Sequence, residues 1–486
     1  MRFDYDLVII GGTIAARQAA LTAVSWNARV ALVEPSQSDV GNEIGIQSTL
    51  GYLGQIMQRL QQAESLGIHW GRESHPIVNW ADALYWAQQV VENLEAERSP
   101  DILAAHGVDV IVGNGEFCRR PRMAFVVNGR VLRSRRYLIA TAARQTMLAI
   151  EGLVQANPLT LEQLWRSPQG DGLASLSALK PNSHLILIGA SPVGVELAQT
   201  LNRCGFQVTL ITSRDRLLPQ EDVDAVRLIQ AQLEAEGVQV LTQAEVTQVR
   251  QLGQQKWVQA GTRALEADEI ILTTGQQPDL ETLNLAAVDV AVSDMGIQVN
   301  PKLQTTHPRI YACGEVLGDY PFAHIAHYEA DIAVKNALFF PRFQVDYSSI
   351  PWAIATDPAL ARIGLTEAQA RHRYGDRMTV LYQPLKRVAK AQMQGNTTGF
   401  CKLIVRPNGQ ILGVHIVSPE AEELIAAIAP LMRHKHPLQT LASFPAISPS
   451  WSEVLHLAAL EWRQHQSDRH PLMREVRETW FNWRRS

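Results

Sequence analysis

The amino-acid sequence predicts an α/β fold, because two glycine-rich turns each join an apolar strand pattern to a helical one. The first turn joins DLVIIGG to TIAARQAALTAV, and the run ARVALVEP that follows has the composition of a second buried strand. The second turn joins HLILIGA to SPVGVELAQTL, which is followed by the strand-like run FQVTLIT. Each segment is a β–α–β unit of the kind found in Rossmann-like three-layer domains.

Length and composition predict a soluble protein of several domains. The 486 residues suggest about three domains, and 46% hydrophobic with 19% charged residues is ordinary for chains with buried cores. A net charge of -4 gives no overall attraction to nucleic acid, and the apolar runs are too short to cross a bilayer. The run FDYDLVII lies where a secretory signal would be, and the four cysteines are widely spaced. We therefore expect a cytoplasmic location and no nucleic-acid partner.

The first turn predicts a dinucleotide site of the flavin type. Gly11 and Gly12 allow a tight turn, the following helix would aim its N-terminus at a diphosphate, and Glu34 ends the second strand where an acid binds ribose hydroxyls. Two positions depart from the G-x-G-x-x-G motif: Thr13 adds a side chain near the expected phosphate, and Ala16 replaces the last glycine. The alternative is a β–α–β unit that keeps the shape without the ligand.

The second turn predicts a nicotinamide dinucleotide site. Gly189 and Gly194 hold the first and last motif positions, and Ser191 takes the middle one. The strand that follows ends at Thr212 rather than at an acid that could bind a ribose 2′-hydroxyl, and Arg214 lies two residues further on. A guanidinium suits a 2′-phosphate, so we expect NADPH to be favoured. The alternative is a solvated loop arginine.

Further motifs follow along the chain in a fixed order. They are RSRRYLIATAARQ with Thr141, ADEIILTTGQQPD with Gly275, IYACGEVLG with Gly314 and Glu315, and IPWAIATDPALARIGLTEAQA. With the two turns, they resemble the flavoprotein pyridine nucleotide-disulfide oxidoreductases, the family of dihydrolipoamide dehydrogenase and mercuric reductase, over residues 4 to about 462. The resemblance implies bound FAD, contacted near Thr141, Gly314 and Glu315, an NAD(P)H site that includes Gly275, and a homodimer.

The same resemblance implies a domain order with a C-terminal α+β dimerisation domain. The expected ranges are 1–150 for the first part of the FAD-binding domain, 151–275 for the NAD(P)-binding domain, 276–346 for the returning part of the FAD-binding domain, 347–465 for the dimerisation domain, and 466–486 for an amphipathic tail.

Cysteine is absent from the segment where this family carries its redox pair. The resemblance places the two sulfur positions at Glu43 and Ser48, in the stretch between Glu34 and Tyr52. A carboxylate and a hydroxyl cannot exchange disulfides, because that reaction needs a thiolate. The resemblance therefore implies the fold of the family without the cysteine pair that carries out disulfide exchange.

Other active-site positions differ as well. The resemblance puts Tyr52 in place of a lysine that pairs with Glu196, and Ser448 in place of a histidine that lies five residues before Glu453. A serine hydroxyl without an adjacent base is not a general acid near neutral pH. Tyr52, Glu196 and Glu453 remain as the candidate catalytic residues.

These substitutions predict an enzyme that is not a disulfide reductase. We expect electrons to pass from flavin directly to a quinone-like or other small acceptor, in a cleft lined by Tyr52, Ser48 and Trp451 of the partner subunit. Two alternatives stay open: a catalytically silent nucleotide- or flavin-binding sensor or scaffold, and a nicotinamide transhydrogenase. No metal site is expected, because no cysteine or carboxylate completes a ligand set with His324 and His327.

The C-terminal segment predicts an amphipathic helix. Pro471 can begin it, and Val476, Trp480 and Trp483 then fall on one face, with arginines at both ends. Such a helix suits a membrane surface or a protein partner. The alternative is a helix that packs on the dimer.

Overall fold

A computed structural model describes residues 3–35, 42–65, 78–119, 122–165, 179, 182–320, 322–468 and 471–485. The chain divides into two compact units, Met1–Ser213 with Gln243–Val345, and Arg214–Thr242 with Asp346–Ser486. Within the described residues, no helix combines the length and the apolarity that crossing a bilayer needs.

The helices are α1 (Ile14–Ser25), α2 (Asn42–Ser65), α3 (Trp80–Glu95), α4 (Pro100–Ala105), α5 (Leu161–Trp165), α6 (Pro192–Arg203), α7 (Val223–Glu236), α8 (Ala323–Leu338), α9 (Glu367–Tyr374), α10 (Ala389–Gln394), α11 (Ala421–Ala426), α12 (Ala429–Arg433), α13 (Gln439–Ala442), α14 (Glu453–Asp468) and α15 (Pro471–Arg485).

The strands are β1 (Tyr5–Ile10), β2 (Val30–Glu34), β3 (Asp109–Val112), β4 (Gly115–Cys118), β5 (Ala124–Val127), β6 (Arg130–Leu132), β7 (Ser134–Ile139), β8 (Ala143–Gln145), β9 (His184–Ile188), β10 (Gln207–Ile211), β11 (Gln239–Leu241), β12 (Val246–Leu252), β13 (Gln255–Ala260), β14 (Arg263–Ala267), β15 (Glu269–Leu272), β16 (Gln276–Pro278), β17 (Ile310–Ala312), β18 (Pro351–Ile354), β19 (Ala359–Gly364), β20 (Thr379–Pro384), β21 (Phe400–Val405) and β22 (Ile411–Ser418).

The first unit is built on parallel sheets. Its five-stranded sheet has the order β17-β7-β1-β2-β3, with Leu7 paired to Val30 and to Arg136. The runs in β1 and β2 are apolar throughout because helices α1 and α8 cover the sheet and leave those strands buried. A second parallel set, β10-β9-β15, lies behind the second turn, and the antiparallel strands β12-β13-β14 follow.

The second unit has an antiparallel five-stranded sheet in the order β18-β19-β22-β21-β20. Helix α14 packs on it and buries Trp462 completely. A buried cation also holds this unit together, because Lys402, 3% exposed, lies 3.1 Å from Asp222, 2.8 Å from Asp224 and 2.6 Å from Glu367. The fold class predicted from the sequence, α/β with two Rossmann-like domains and a C-terminal α+β domain, is confirmed.

Candidate functional site

The first turn requires glycine at Gly11. The backbone there has φ +133°, and a Cβ would lie 2.1 Å from the carbonyl oxygen of Ala140. The N–H of Gly11 donates to the carbonyl of Val33 at 2.8 Å, which joins the turn to the end of β2. Any side chain would push the turn off β7, so the entrance to helix α1 depends on this residue.

Thr13 caps helix α1 instead of obstructing it. Its Oγ1 accepts a hydrogen bond from the N–H of Ala16 at 3.2 Å and donates to the carbonyl of Ala140 at 2.9 Å. A hydroxyl at this position satisfies one of the unpaired amides of the first helical turn. The side chain that departs from the motif therefore anchors the helix N-terminus to the end of β7.

A cavity of about 370 Å³ opens at this N-terminus. Its wall includes Thr13, Ile14 and Ala15 from α1. Gly45, Arg98, Gly314, Glu315 and His327 line the same cavity. Helix N-termini attract anions because their amides and dipole present partial positive charge.

Two polar groups in the cavity wall fit a flavin. The Nε2 atom of His327 is buried and has no hydrogen-bond partner among the described residues, so a polar group of a bound ring would satisfy it. Glu315 accepts the N–H of Ala143 at 2.7 Å, and burial raises the pKa of its carboxyl. Burial first, and then the charges of Arg98 and His324, lower the pKa of His327, so its ring is neutral near pH 7.

Glu34 is already paired inside the protein. Arg17 donates from Nε to Oε1 at 2.8 Å and from Nη2 to Oε2 at 3.4 Å, and Glu34 is only 2% exposed. The Nη1 atom of Arg17 also lies 3.7 Å from Glu95. Sequence reasoning missed this pair, because no motif marks Arg17. The role of Glu34 toward a ribose stays a prediction.

The second turn repeats the geometry of the first. Gly189 has φ +113°, and a Cβ there would lie 2.5 Å from the carbonyl oxygen of Thr273. The Oγ of Ser191 accepts the N–H of Gly194 at 3.2 Å and caps helix α6. A Cβ on Gly194 would lie 2.5 Å from the carbonyl oxygen of Gly189, so this position has no room for a side chain.

Beyond the turn itself, Gly275 follows strand β15 with φ +95°, a backbone that suits glycine.

Glu196 has a partner that the sequence did not indicate. Gln47, from helix α2, donates its Nε2 to Oε2 of Glu196 at 2.8 Å and to the carbonyl of Val193 at 3.3 Å. Tyr52, the expected occupant of the lysine position, is 57% exposed. The amide of Gln47, not the hydroxyl of Tyr52, therefore engages the carboxylate at the start of α6.

The second unit contains the other candidate catalytic residue. Although burial raises the pKa of Glu453, hydrogen bonds from the N–H of Ser450, the hydroxyl of Ser448 and the N–H of Ala389 hold it below its usual value. Trp451 is only 4% exposed and packs in the core of its own unit. The expectation that its ring lines an acceptor cleft is therefore wrong.

The cysteines do not supply an activated thiol pair. All four are free, with Cys313 and Cys401 buried and Cys118 and Cys204 partly so. Burial raises the pKa of the Cys204 thiol to about 12, and it raises the pKa of Cys313 and Cys401 as well. A raised pKa leaves little thiolate for exchange. Among the described residues, no group of three or more histidine, cysteine or acidic side chains could hold a metal ion.

Comparisons with known proteins decide the family. The profile described as pyridine nucleotide-disulphide oxidoreductase matches residues 5–330, and its dimerisation-domain counterpart matches residues 350–459. The chain belongs to the pyridine nucleotide-disulphide oxidoreductase family. The family predicted from the turns and the later motifs is thus confirmed, and members of the family are oxidoreductases that use FAD and NAD(P)H.

Relatives within the family share most of this chain. A mercuric reductase of Bacillus cereus is 30% identical over 94% of the chain and 71% of its own length. A dihydrolipoyl dehydrogenase of Bacillus subtilis is 31% identical over 93% of the chain and 98% of its own length. The HOCl-induced flavoprotein disulfide reductase RclA of Escherichia coli superposes with a TM-score of 0.79, at 25% identity, over 94% of this chain and 99% of its own.

These relatives correct the expected reaction. Direct transfer from flavin to a quinone-like acceptor is wrong, because the matched proteins are mercuric reductases, a dihydrolipoyl dehydrogenase and a flavoprotein disulfide reductase. The expectation came from the substitutions at Glu43, Ser48, Tyr52 and Ser448. It gave too much weight to these few positions against a match that covers nearly the whole chain.

Proposed function

We propose that this protein is an FAD-dependent reductase of the disulfide reductase type that oxidises NAD(P)H. The observation that carries the proposal is the cavity at the N-terminus of α1, which Glu315 and His327 line and where the buried Nε2 of His327 has no hydrogen-bond partner among the described residues. When bound there, FAD would supply the electron transfer between the nicotinamide and the acceptor.

The residues of the chain would orient the two dinucleotides. Helix α1, capped by Thr13, would place its amides against a diphosphate, and Glu315 and His327 would fix the flavin ring by hydrogen bonds. Helix α6, capped by Ser191, is proposed to do the same for the nicotinamide dinucleotide. Gln47 holds Glu196 in one position, which keeps this carboxylate from moving as a ligand enters.

For the acceptor we propose a disulfide. The relatives' names support this class of acceptor. Because this chain has Ser48 at the proposed sulfur position, it has no thiol there that could exchange disulfides. The acceptor's own sulfur–sulfur bond would therefore have to reach the flavin cavity.

An anaerobic titration tests the whole proposal. Protein loaded with FAD should lose its visible flavin absorption when NADPH or NADH is added, and oxidised lipoamide or glutathione disulfide should restore it. Absorption that does not fall with either nucleotide would exclude the nicotinamide step. Absorption that falls but does not return with either disulfide would exclude the proposed acceptor.

The match to the dimerisation domain supports a homodimer. In addition, we propose that helix α15 docks on an anionic membrane surface. Val476, Trp480 and Trp483 are 54% to 68% exposed on this helix, and the two tryptophan rings lie 5.3 Å apart. Its sequence carries more arginine than glutamate, which complements anionic lipid.

Sedimentation with vesicles tests the docking of α15. The intact protein should sediment with vesicles that contain phosphatidylserine and remain in solution with phosphatidylcholine alone. The pair of changes Trp480→Ala and Trp483→Ala should abolish sedimentation and leave flavin binding intact, whereas Tyr85→Ala, at an aromatic residue 66% exposed in the first unit, should change nothing. If the tryptophan changes instead dissociate the dimer, a second copy of the chain covers this face and the membrane proposal is wrong.

A further inference from the structure

We propose that Arg98 binds the diphosphate of the flavin dinucleotide, an inference that rests on the proposed function. Arg98 ends a short 3₁₀ turn, Ala96–Arg98, which packs against helix α1. It lines the same cavity as Thr13, Ile14 and Ala15, at the N-terminus of that helix. A guanidinium and a helix N-terminus thus face one cavity, and both favour an anion.

Arg98 has no ion-pair partner in the part of the chain that the structure describes. Among the described residues, its guanidinium makes no hydrogen bond and no ion pair, although the side chain is partly buried. Glu97, the neighbour of Arg98 in sequence, is exposed. Glu95, which lines the same cavity, lies 3.7 Å from Arg17, and Arg17 is bound mainly by Glu34. A partly buried cation without a partner is unfavourable, so a bound anion would stabilise it.

The acidic and histidine side chains that line the cavity beside Arg98 are Glu95, Glu315 and His327. Glu315 accepts a hydrogen bond from the N–H of Ala143, and burial raises the pKa of its carboxyl. The charge of Arg98 contributes to the lowered pKa of His327, which places the guanidinium within electrostatic range of that ring. Arg98 and the amides of α1 therefore supply positive charge at one end of the cavity, while His327 and Glu315 offer hydrogen-bonding groups to a ring.

Binding of FAD and of riboflavin separates the two parts of the ligand, because riboflavin has the same ring and no phosphate. Affinities can be measured by the change in flavin fluorescence. Arg98→Ala should weaken FAD about ten- to a hundredfold, as expected for the loss of a charge-assisted contact, and leave riboflavin unchanged. Arg98→Lys should recover part of the FAD affinity, and Arg119→Ala, at an arginine 66% exposed and paired with Asp289, should have no effect.

Salt provides a second readout. The affinity of the unaltered protein for FAD should fall as salt rises, and this dependence should be weaker in Arg98→Ala. Equal losses for FAD and riboflavin, or a salt dependence that the substitution leaves unchanged, would overturn the role of Arg98. Unaltered protein that binds neither flavin would overturn the proposed function itself, which is a distinct result.

Discussion

The two glycine turns share one backbone and differ in what surrounds it. Gly11 and Gly189 both have positive φ, and a hydroxyl caps the helix after each turn. At the last position of the G-x-G-x-x-G motif, however, the first turn accommodates the methyl group of Ala16, whereas the second turn leaves no space for a side chain at Gly194. A departure from the motif at one turn therefore does not mean that the other turn would tolerate it.

The strand that follows each turn ends differently as well. The first ends in Glu34, whose carboxylate is held by Arg17, and the second is followed by Thr212, a neutral side chain that is 7% exposed. The two β–α–β segments thus present different electrostatics to a dinucleotide although the backbones of their turns match. Substitutions at equivalent positions of the two turns can therefore show which contributions to stability and binding the turns share and which belong to one turn.

The largest effect is expected at the pair of Arg17 and Glu34. Arg17→Met removes the cation and leaves a carboxylate that is 2% exposed without its main partner, so the free energy of unfolding should fall by about 3 to 5 kcal/mol. Chemical denaturation measures this. Thr212→Val, at the end of the strand that follows the second turn, should lower the free energy of unfolding much less. Equal losses for the two variants would mean that the pair of Arg17 and Glu34 does not stabilise the first unit.

A smaller effect is expected at Arg214, which is exposed shortly after strand β10. We propose that it favours NADPH, because a 2′-phosphate would accept a charge-assisted hydrogen bond. Arg214→Ala should then weaken NADPH by about 1.5 to 3 kcal/mol and leave NADH nearly unchanged, as measured by nucleotide titration. Arg216→Ala is the matched control, since Arg216 donates to the carbonyl of Pro219 at 2.6 Å. Equal losses for both nucleotides would contradict a role in selecting NADPH.

The sixth motif position tests the difference in packing. Gly194→Ala should lower the free energy of unfolding by about 1 to 3 kcal/mol, because the new methyl group would overlap the carbonyl of Gly189. Ala16→Gly removes a methyl group that already fits and should cost about 1 kcal/mol. Thermal unfolding measures the stability of both variants. A larger loss of stability for Ala16→Gly would contradict the tighter packing at Gly194.

The smallest effect is expected at the two caps. Ser191→Ala should cost about 1 kcal/mol, the usual loss for a helix cap. Thr13→Ala should cost somewhat more, because its hydroxyl also donates to Ala140. Urea unfolding can resolve this difference, and a Thr13 variant as stable as the native protein would show that the hydroxyl is not needed as a cap.

The sequence was sufficient for features that depend on local pattern. Both turns, the alternation of strand and helix and the family follow from runs of adjacent residues, and the family and fold class are confirmed. The domain ranges and the roles of the individual site residues stay predictions. The pairs Arg17–Glu34 and Gln47–Glu196 were missed because they join residues 17 and 149 positions apart, where no spacing rule applies.

The acceptor was misjudged for a different reason. The substitutions at Ser48, Tyr52 and Ser448 are single positions in short segments, and they do not decide the reaction of the whole chain. Trp451 shows the same weakness, since an aromatic residue that looked available in the sequence is buried in a core. Local composition predicts local structure better than it predicts a substrate.

The most direct test of the account is to disable each turn separately and record the visible spectrum of the purified dimer before and after anaerobic addition of NADPH. If the first turn binds flavin and the second binds the nicotinamide, Gly11→Ala should yield protein without flavin absorption. Gly189→Ala should yield protein that keeps the flavin but fails to lose its absorption with NADPH. A Gly11 variant that retains flavin, or a Gly189 variant that is reduced as fast as the native protein, would contradict the assignment of the two turns.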